Sequence, residues 1–227
     1  MATESLFRSS IGKKFAMALS ALFLLIFLLQ HFIINSLAVI CPAAFNEASH
    51  FMGYNPIVQY VVQPILIFAV VFHFVMGFIL EIQNRKARGP VAYAMNKPQE
   101  NSTWSSRNMI WSGLAILAFL VLHLIDFWFP EMNYKYIAAE LPNAERYHEE
   151  LMHKFQNPWR VLAYVIAFFL LMMHLLHGFQ SAFQSIGARH RKYTPFIKSF
   201  GKVFAIAIPV GFMLIAIICY LKNIEVL

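Results

Sequence analysis

The segment WRVLAYVIAFFLLMMHLLHGFQSAF, residues 159–183, decides the fold of this chain. It is long enough to cross a bilayer, which takes about 20 apolar residues. Its second half nevertheless carries two histidines, His174 and His177. Backbone polar groups inside lipid must be satisfied within their own segment, so the segment is predicted to be a helix. Histidines in such a helix are costly, and they usually face a partner, a cofactor or the interior of a bundle.

Four other segments have the same character. Only 13% of the 227 residues are charged, whereas soluble domains carry about 25%. We therefore predict an all-α integral membrane protein with one transmembrane domain over residues 1–227, in which the first four of five helices form a bundle. The connections are too short for a soluble domain, and an interfacial helix is predicted within 143–156. The predicted membrane helices are 15–40, 56–82, 109–130, 159–183 and 200–221.

The two cysteines, Cys41 and Cys219, exclude several kinds of metal and redox site. They lie far apart, and the chain contains no CxxC or CxxCH motif. A zinc ribbon, a redox dithiol and a covalently attached c-type haem are therefore excluded.

Basic residues predict the orientation in the membrane. Most of the 18 lysines and arginines fall on the side of the N-terminus, although the net charge is only +7. Positive charge stays inside, so the N-terminus is predicted to be cytoplasmic and the C-terminus periplasmic, in a bacterial inner membrane. We expect these charges to face lipid and a protein partner and not nucleic acid. The basic residues on this side are Arg8, Lys13, Lys14, Arg85, Lys86, Arg88, Lys97, Arg107, Arg189, Arg191, Lys192, Lys198 and Lys202.

Four successive predicted helices carry histidines at matched depths. His31 and His123 lie on helices that run outward, roughly 24 Å and 22 Å from their inner ends at the rise of an α-helix. His73 and His177 lie on helices that run inward, roughly 24 Å and 27 Å from their outer ends at the same rise. The histidines therefore form one level pair near the outer face and another near the inner face.

Two level pairs of histidines are typical of two stacked haems with two axial histidines each. A zinc site is disfavoured, since each level offers too few ligands. A proton relay or transport pathway and purely structural histidines remain as alternatives. We predict two non-covalent b haems, with the haem irons bound by His31 and His123 at the outer level and by His73 and His177 at the inner level.

Two serines are predicted to face the inner haem. Ser20 lies eleven residues before His31, and Ser112 lies eleven residues before His123. That spacing is about three helical turns, which returns the side chain to the same face. Ordinary packing of small residues between helices is the alternative reading for both.

The fourth helix offers two candidates for the inner ligand. His174 and His177 are three residues apart and therefore lie on nearly the same face. We expect His177 to be the ligand, because its depth matches that of His73 and Gly178 beside it leaves room for a ring. His174 is then expected to be a neighbouring group that bonds a haem propionate, a water chain or a carbonyl.

The chain resembles the single-polypeptide dihaem cytochrome b subunit of succinate:quinone oxidoreductases, which comprise succinate dehydrogenase and fumarate reductase. The resemblance covers nearly the whole chain, and the His–Gly–Phe–Gln stretch is its most specific part and is similar to the Bacteroidetes branch. The segments that carry it are SSIGKKFAMALSALFLLIFLLQHF at 9–32, FHFVMGF at 72–78, VLHLIDFW at 121–128 and LLHGFQSAFQSIG at 175–187. The resemblance implies the same four ligands and also places the fourth directly before the glycine.

The resemblance implies a membrane anchor that passes electrons between an iron–sulfur subunit and a membrane quinone. A flavoprotein subunit would carry FAD and interconvert succinate and fumarate, and the iron–sulfur subunit would carry the clusters. This chain has no flavin or dinucleotide fingerprint, so no catalytic residue for succinate chemistry is assigned. It would act as the quinone-reactive subunit of the enzyme, with menaquinone as the expected quinone.

Four outer residues are candidates for quinone or proton chemistry: Glu47, His50, Asp126 and Trp128. A surface role or a role in binding haem propionates is the alternative for each. Two other functions also stay open. One is the cytochrome b anchor of a hydrogenase or formate dehydrogenase, which would have a different distribution of histidines, and the other is a haem-free transport or scaffold protein.

Overall fold

The computed structural model describes residues 9–88, 100 and 104–226, and within these residues all regular structure is helical. Five helical segments are long and apolar enough to cross a membrane. The predicted fold class is thereby confirmed. These spans are Ser10–Ile40, Val58–Ala87, Met109–Ile137, Pro158–Ser185 and Thr194–Asn223. Arg8 and Lys97, which entered the prediction of orientation, lie outside the described residues.

The α-helices are numbered in chain order through the described residues. The side of the membrane on which α1 begins is called inner, and the other side outer. The helices are α1 (Ser10–Ile40), α2 (Pro42–Tyr54), α3 (Gln63–Arg88), α4 (Trp104–Arg107), α5 (Met109–His123), α6 (Phe129–Met132), α7 (Arg146–Lys154), α8 (Pro158–Ser185) and α9 (Thr194–Asn223).

Three π-helical turns lengthen the second and third spans. The turn Val58–Val62 leads into α3, and the turns Leu124–Trp128 and Asn133–Ile137 flank α6. The first two turns end two residues before a proline, Pro64 or Pro130. Proline has no N–H to donate to the preceding turn, and a π turn accommodates that gap while the helix continues.

The structure adds helical residues at several places, including the start of the first span at Ser10 and the end of the second at Ala87. The third span continues past Pro130 to Ile137, and the fifth begins at Thr194 instead of residue 200. The prediction ended these spans where the polar residues begin, but a helix can continue beyond its apolar stretch. The helix α2 was not predicted at all, whereas α7 lies within the predicted interfacial segment 143–156.

The helices α1, α3, α5 and α8 form a ring, and α9 packs outside it against α1 and α8. Close contacts fix α9 in this place: an added Cβ at Gly211 would lie 2.3 Å from Phe32 on α1, and one at Gly201 would lie 2.4 Å from Phe179 on α8. The core is therefore concentrated around α8 and α9. In the most apolar stretch of the second span, which contains α3, only 6% of the residues are buried, against 44% in that of the fifth span.

The outer end of the ring is covered by α2 and α7. The Asn46 side chain donates to the Glu145 carbonyl over 3.0 Å and accepts from the His148 backbone N–H over 2.7 Å. The His148 ring Nε2 lies 3.1 Å from the Ala38 carbonyl at the end of α1. These bonds connect α2, α7 and α1 into one cap above the outer histidine level.

Candidate functional site

The inner histidine pair consists of His73 on α3 and His174 on α8. Their ring centres are 6.5 Å apart and their planes are inclined by 66°. The two imidazoles come from α3 and α8, which are not neighbours in the arrangement of four helices. The pair therefore presents two imidazoles to one space inside the bundle.

Each inner imidazole is held by a serine from a neighbouring helix. Ser20 Oγ lies 3.2 Å from His73 Nδ1, and Ser112 Oγ lies 3.2 Å from His174 Nδ1. Both hydroxyls donate their only proton to a carbonyl three residues earlier, that of Met17 or Met109. A hydroxyl whose proton is donated to the carbonyl accepts a second bond, which assigns the imidazole proton to Nδ1 in this arrangement. The Nε2 lone pairs are thereby left free to bind a metal.

The structure differs from the prediction at the fourth helix, since it brings His174 and not His177 to His73. His177 is half-buried on the next turn toward the inner side. Depth along the helix does not separate His174 from His177, which are one turn apart. The spacing to the nearest glycine favours His174. Gly77 follows His73 by four residues, and Gly178 follows His174 by four.

The outer pair consists of His31 on α1 and His123 at the end of α5. Their ring centres are 5.8 Å apart and the planes are inclined by 86°. Phe27 stacks on His31 at 5.4 Å, and Phe127 lies 5.2 Å from His123. Phe212 on α9 also approaches His31 to 5.6 Å, so the fifth helix contributes to this level.

The outer pair lacks the serine partners of the inner one. Asn35 Nδ2 lies 3.4 Å from His31 Nδ1, but its main hydrogen bond is to the His31 carbonyl at 2.8 Å. His123 Nδ1 is buried, and no hydrogen-bond partner for it occurs among the described residues. Aromatic rings, not hydroxyls, therefore surround the outer imidazoles.

A buried ion pair lies directly beyond the outer pair. Asp126, in the π turn after His123, is 1% exposed. Its carboxylate accepts hydrogen bonds from Arg160 and, over 2.8 Å, from the Tyr164 hydroxyl. The Tyr164 ring is 6.2 Å from that of His123. Asp126 therefore belongs to a saturated structural network, which links the third and fourth spans.

A second polar group, here called the outer cluster, lies under the cap. Its charged members are Glu131, Lys135 and Arg146. Glu131 is 2.6 Å from Lys135 and also accepts from Arg146. Lys135 donates to the Gly53 carbonyl. The aromatic members of the outer cluster are His50, Tyr54, Tyr134 and Tyr147. The His50 ring packs against the rings of Tyr54 and Tyr147. Lys135 lies over the Tyr54 ring, and Arg146 lies over the rings of Tyr134 and Tyr147.

Several polar atoms of the outer cluster are buried without a hydrogen-bond partner among the described residues: His50 Nδ1, Tyr54 Oη, Tyr147 Oη and Arg146 Nε. Native proteins leave few such atoms unpaired, and a group of them marks a place for water or a ligand. Burial, followed by the Glu131 carboxylate, raises the pKa of Tyr54 and of Tyr147. Both phenols therefore remain neutral donors at ordinary pH.

The structure does not bring the four quinone candidates together. His50 lies in the outer cluster and Asp126 in the ion pair with Arg160. Glu47 is exposed on α2, and Trp128 packs edge-on against Phe129 at 5.1 Å. A hydrogen bond joins the outer cluster to the outer histidines. Met52, between His50 and Tyr54, accepts it from Gln30, the residue before His31.

The donor set fits two bis-histidine haems. Two imidazoles bound to opposite sides of one metal ion have ring centres roughly 6 Å apart, because each metal–nitrogen bond is about 2 Å long. Both observed pairs have this spacing. Among the described residues, no group of three or more His, Cys, Asp or Glu side chains is placed to hold a metal ion. The serine-bonded inner rings leave Nε2 for a metal, and the outer pair has a similar ring spacing, so both pairs fit iron held by two imidazoles.

Sequence reasoning missed Arg160, Tyr164 and most of the outer cluster. The sequence held one weak sign of the cluster. Glu131 and Lys135, which follow an apolar stretch, are four residues apart, a spacing that indicates an ion pair on one helix face. Their partners Tyr54 and Arg146 come from segments far away in the chain. No spacing within one helix reveals such a cluster.

Comparison with known families gives one match. A sequence model of the succinate dehydrogenase/fumarate reductase transmembrane subunit family matches residues 82–209, which is more than half of the chain. No curated protein and no solved structure gives a significant match. The match favours this family over a hydrogenase or formate dehydrogenase anchor. The chain belongs to the succinate dehydrogenase/fumarate reductase transmembrane subunit family and is a multi-pass membrane anchor subunit of that complex.

Proposed function

We propose that this subunit holds two b haems and passes electrons between the iron–sulfur subunit and a membrane quinone. His73 and His174 would hold the iron of the inner haem, and His31 and His123 would hold that of the outer haem. The observation that carries the proposal is the pairing of imidazoles at both levels with ring centres 6.5 Å and 5.8 Å apart. The two haems, when bound, supply reversible one-electron chemistry at two depths in the membrane.

The residues of the chain prepare both levels for neutral imidazole ligands. At the inner level, the serine bonds hold the Nδ1 proton and orient each ring, as groups around metal-bound histidines commonly do. At the outer level, Phe27, Phe127 and Phe212 enclose the rings and exclude water. In this proposal the inner ligand on α8 is His174, whereas the sequence predicted His177.

The proposed inner side faces the cytoplasm and the iron–sulfur subunit. The basic residues of the described inner ends support this orientation, as positive charge remains on the cytoplasmic side. The flavoprotein subunit would contact the membrane through that iron–sulfur subunit. The membrane is accordingly proposed to be the bacterial cytoplasmic membrane.

We place quinone exchange at the outer cluster. The hydroxyls of Tyr54 and Tyr147, which lie beside the Arg146 guanidinium, and Arg146 Nε are donors that suit the carbonyl oxygens of a quinone. The stacked rings of His50 and Tyr54, 4.6 Å apart, offer an aromatic wall for its ring. Gly53 keeps the cluster open, because an added Cβ would lie 3.1 Å from both Lys135 Nζ and Tyr147 Oη.

A reduced-minus-oxidised spectrum with haem quantitation on the purified complex tests the electron-transfer proposal. Two b haems per chain are expected, and replacing His73 or His123 by Ala should each remove one of them. A complex without haem, or with haem unchanged in both variants, would contradict it.

The quinone assignment is tested separately with Tyr147→Phe, which removes only the hydroxyl. Quinone-dependent turnover should fall while the haem content and succinate oxidation with a soluble electron acceptor stay unchanged. The matched control is Tyr136→Phe, since Tyr136 is 62% exposed. Equal turnover in both variants would place the quinone elsewhere without affecting the haem assignment.

A further inference from the structure

A small cavity of about 110 Å³ lies at the inner side, between the end of α8 and the start of α9. Its polar wall is formed by Arg189, Lys198, Gln180, Gln184 and Thr194, and its apolar wall includes Ile197. It lies along the last two turns of α8, and none of the paired histidines lines it, since its first lining residue, Gln180, comes six residues after His174. The proposed electron-transfer function does not use it.

The polar wall suits an anion. Two cations and two amide side chains line the cavity, and no acidic side chain does. Neither Arg189 nor Lys198 makes a side-chain ion pair or hydrogen bond within the part of the chain that the structure describes. The sequence explains why: residues 151–224 contain no Asp or Glu. Arg189 and Lys198 therefore have no acidic side chain nearby in the sequence to act as a counter-ion.

The surroundings identify the membrane interface. Tyr193, Phe196 and Phe200 flank the connection and are 57%, 70% and 49% exposed. Aromatic side chains gather at the level of lipid headgroups, and basic pockets between membrane helices on the cytoplasmic side bind anionic headgroups. The ligand should therefore carry both an anionic group and an apolar part.

We propose that this cavity binds the phosphate of an anionic phospholipid from the inner leaflet. Arg189 presents a planar fork to the phosphate oxygens and Lys198 adds a second positive charge. The amides of Gln180 and Gln184 supply neutral donors, while the acyl chains continue along the exposed aromatic residues. The small volume admits a phosphate group but not the surface of a partner protein, so an acidic partner is the less suitable occupant.

The test measures binding of phosphatidylglycerol to the purified, delipidated complex by native mass spectrometry, with phosphatidylcholine as the neutral lipid. The wild type should bind one phosphatidylglycerol tightly and no phosphatidylcholine. The double variant R189Q/K198Q should weaken this binding roughly tenfold or more, because it removes both charges near the headgroup. The control R191Q/K202Q removes the same charge from the connection and the first turns of α9 but changes no residue that lines the cavity, and it should bind as the wild type does.

Inorganic phosphate distinguishes the lipid from a free anion. We expect phosphate at millimolar concentration to displace less than half of the bound lipid, because the acyl chains contribute to binding. Equal weakening in both double variants, binding by phosphate alone as strong as by lipid, or loss of the iron–sulfur subunit with unchanged lipid binding would each overturn the proposal. An unchanged haem spectrum and melting temperature show that the variants are folded.

Discussion

The two histidine levels have similar spacing but opposite surroundings. At the inner level, the hydroxyls of Ser20 and Ser112 lie 3.2 Å from Nδ1 of His73 and His174. At the outer level, aromatic rings enclose the pair, and His123 Nδ1 has no partner among the described residues. The inner level is thus defined by hydrogen bonds and the outer level by packing.

This difference indicates two ways to prepare a ligand. A hydrogen-bonded Nδ1 makes an imidazole a better donor to a metal and fixes its orientation. An enclosed but unbonded ring is oriented by its neighbours alone and relies on exclusion of water. Charged groups lie beside the outer pair instead, in the Asp126–Arg160 ion pair and in the outer cluster. Changes at serines should therefore affect the inner haem, and changes at aromatic or charged residues the outer one.

The largest expected effect distinguishes the two histidines of α8. His174→Ala should remove the inner haem and reduce the content from two haems to one, because His174 faces His73. His177→Ala is the matched control and should keep both haems. Haem quantitation on the purified complex measures this, and retention of both haems in His174→Ala together with loss of one in His177→Ala would restore our expectation from the sequence.

The second prediction concerns stability at the outer level. Asp126→Asn should lower the free energy of unfolding by about 3 kcal/mol, the lower end for breaking a buried ion pair, since Arg160 keeps 32% of its side chain exposed. Glu81→Gln is the control, as its partner Arg85 is 61% exposed, and such exposed pairs contribute about 1 kcal/mol or less. Thermal unfolding in detergent measures both, and equal melting temperatures would show that the outer network does not stabilise the fold.

A smaller effect is expected on the inner haem potential. Ser20→Ala removes the acceptor for His73 Nδ1–H, which makes the imidazole a weaker donor to ferric iron and raises the midpoint potential. The shift should stay below about 59 mV, the value of a tenfold change in a one-electron equilibrium. A redox titration resolves the two haems. A shift of the outer haem instead would contradict the comparison between the levels.

The smallest effect concerns pH and the outer cluster. Burial and then Glu131 raise the pKa of Tyr147 in the folded protein. Below pH of about 10, the ordinary tyrosine pKa, both states keep the proton and stability is unaffected. Above it, the unfolded chain loses the proton while the folded one retains it, so stability falls as pH rises. Tyr147→Phe should reduce this fall in denaturation measurements between pH 9 and 11, and an identical pH dependence would refute the assignment.

The fold was largely predictable from the sequence because apolar length alone identifies a membrane span. The depths of the histidines were predictable as well, because the rise of a helix converts residue number into depth. Rise fixes depth only to about one turn, however, and this was not enough to choose between His174 and His177. The outer cluster depended on contacts between α2, α6 and α7, which no periodicity within a helix encodes. The π turn that places Asp126 was likewise hidden, because Pro130 is compatible with either an ended or a widened helix.

The small buried share of the second span, which contains α3, has a consequence for the inner histidine pair. Of the other helices of the ring, α1 and α8 also pack against α9, whereas the second span contacts α1, α5 and α2. Displacing α3 exposes little, because few of its side chains are buried and lipid replaces the contacts it loses. His73 lies on this helix and would move with it. We therefore expect His73 to be the more mobile of the two inner imidazoles, since its span has the smallest buried share of the five.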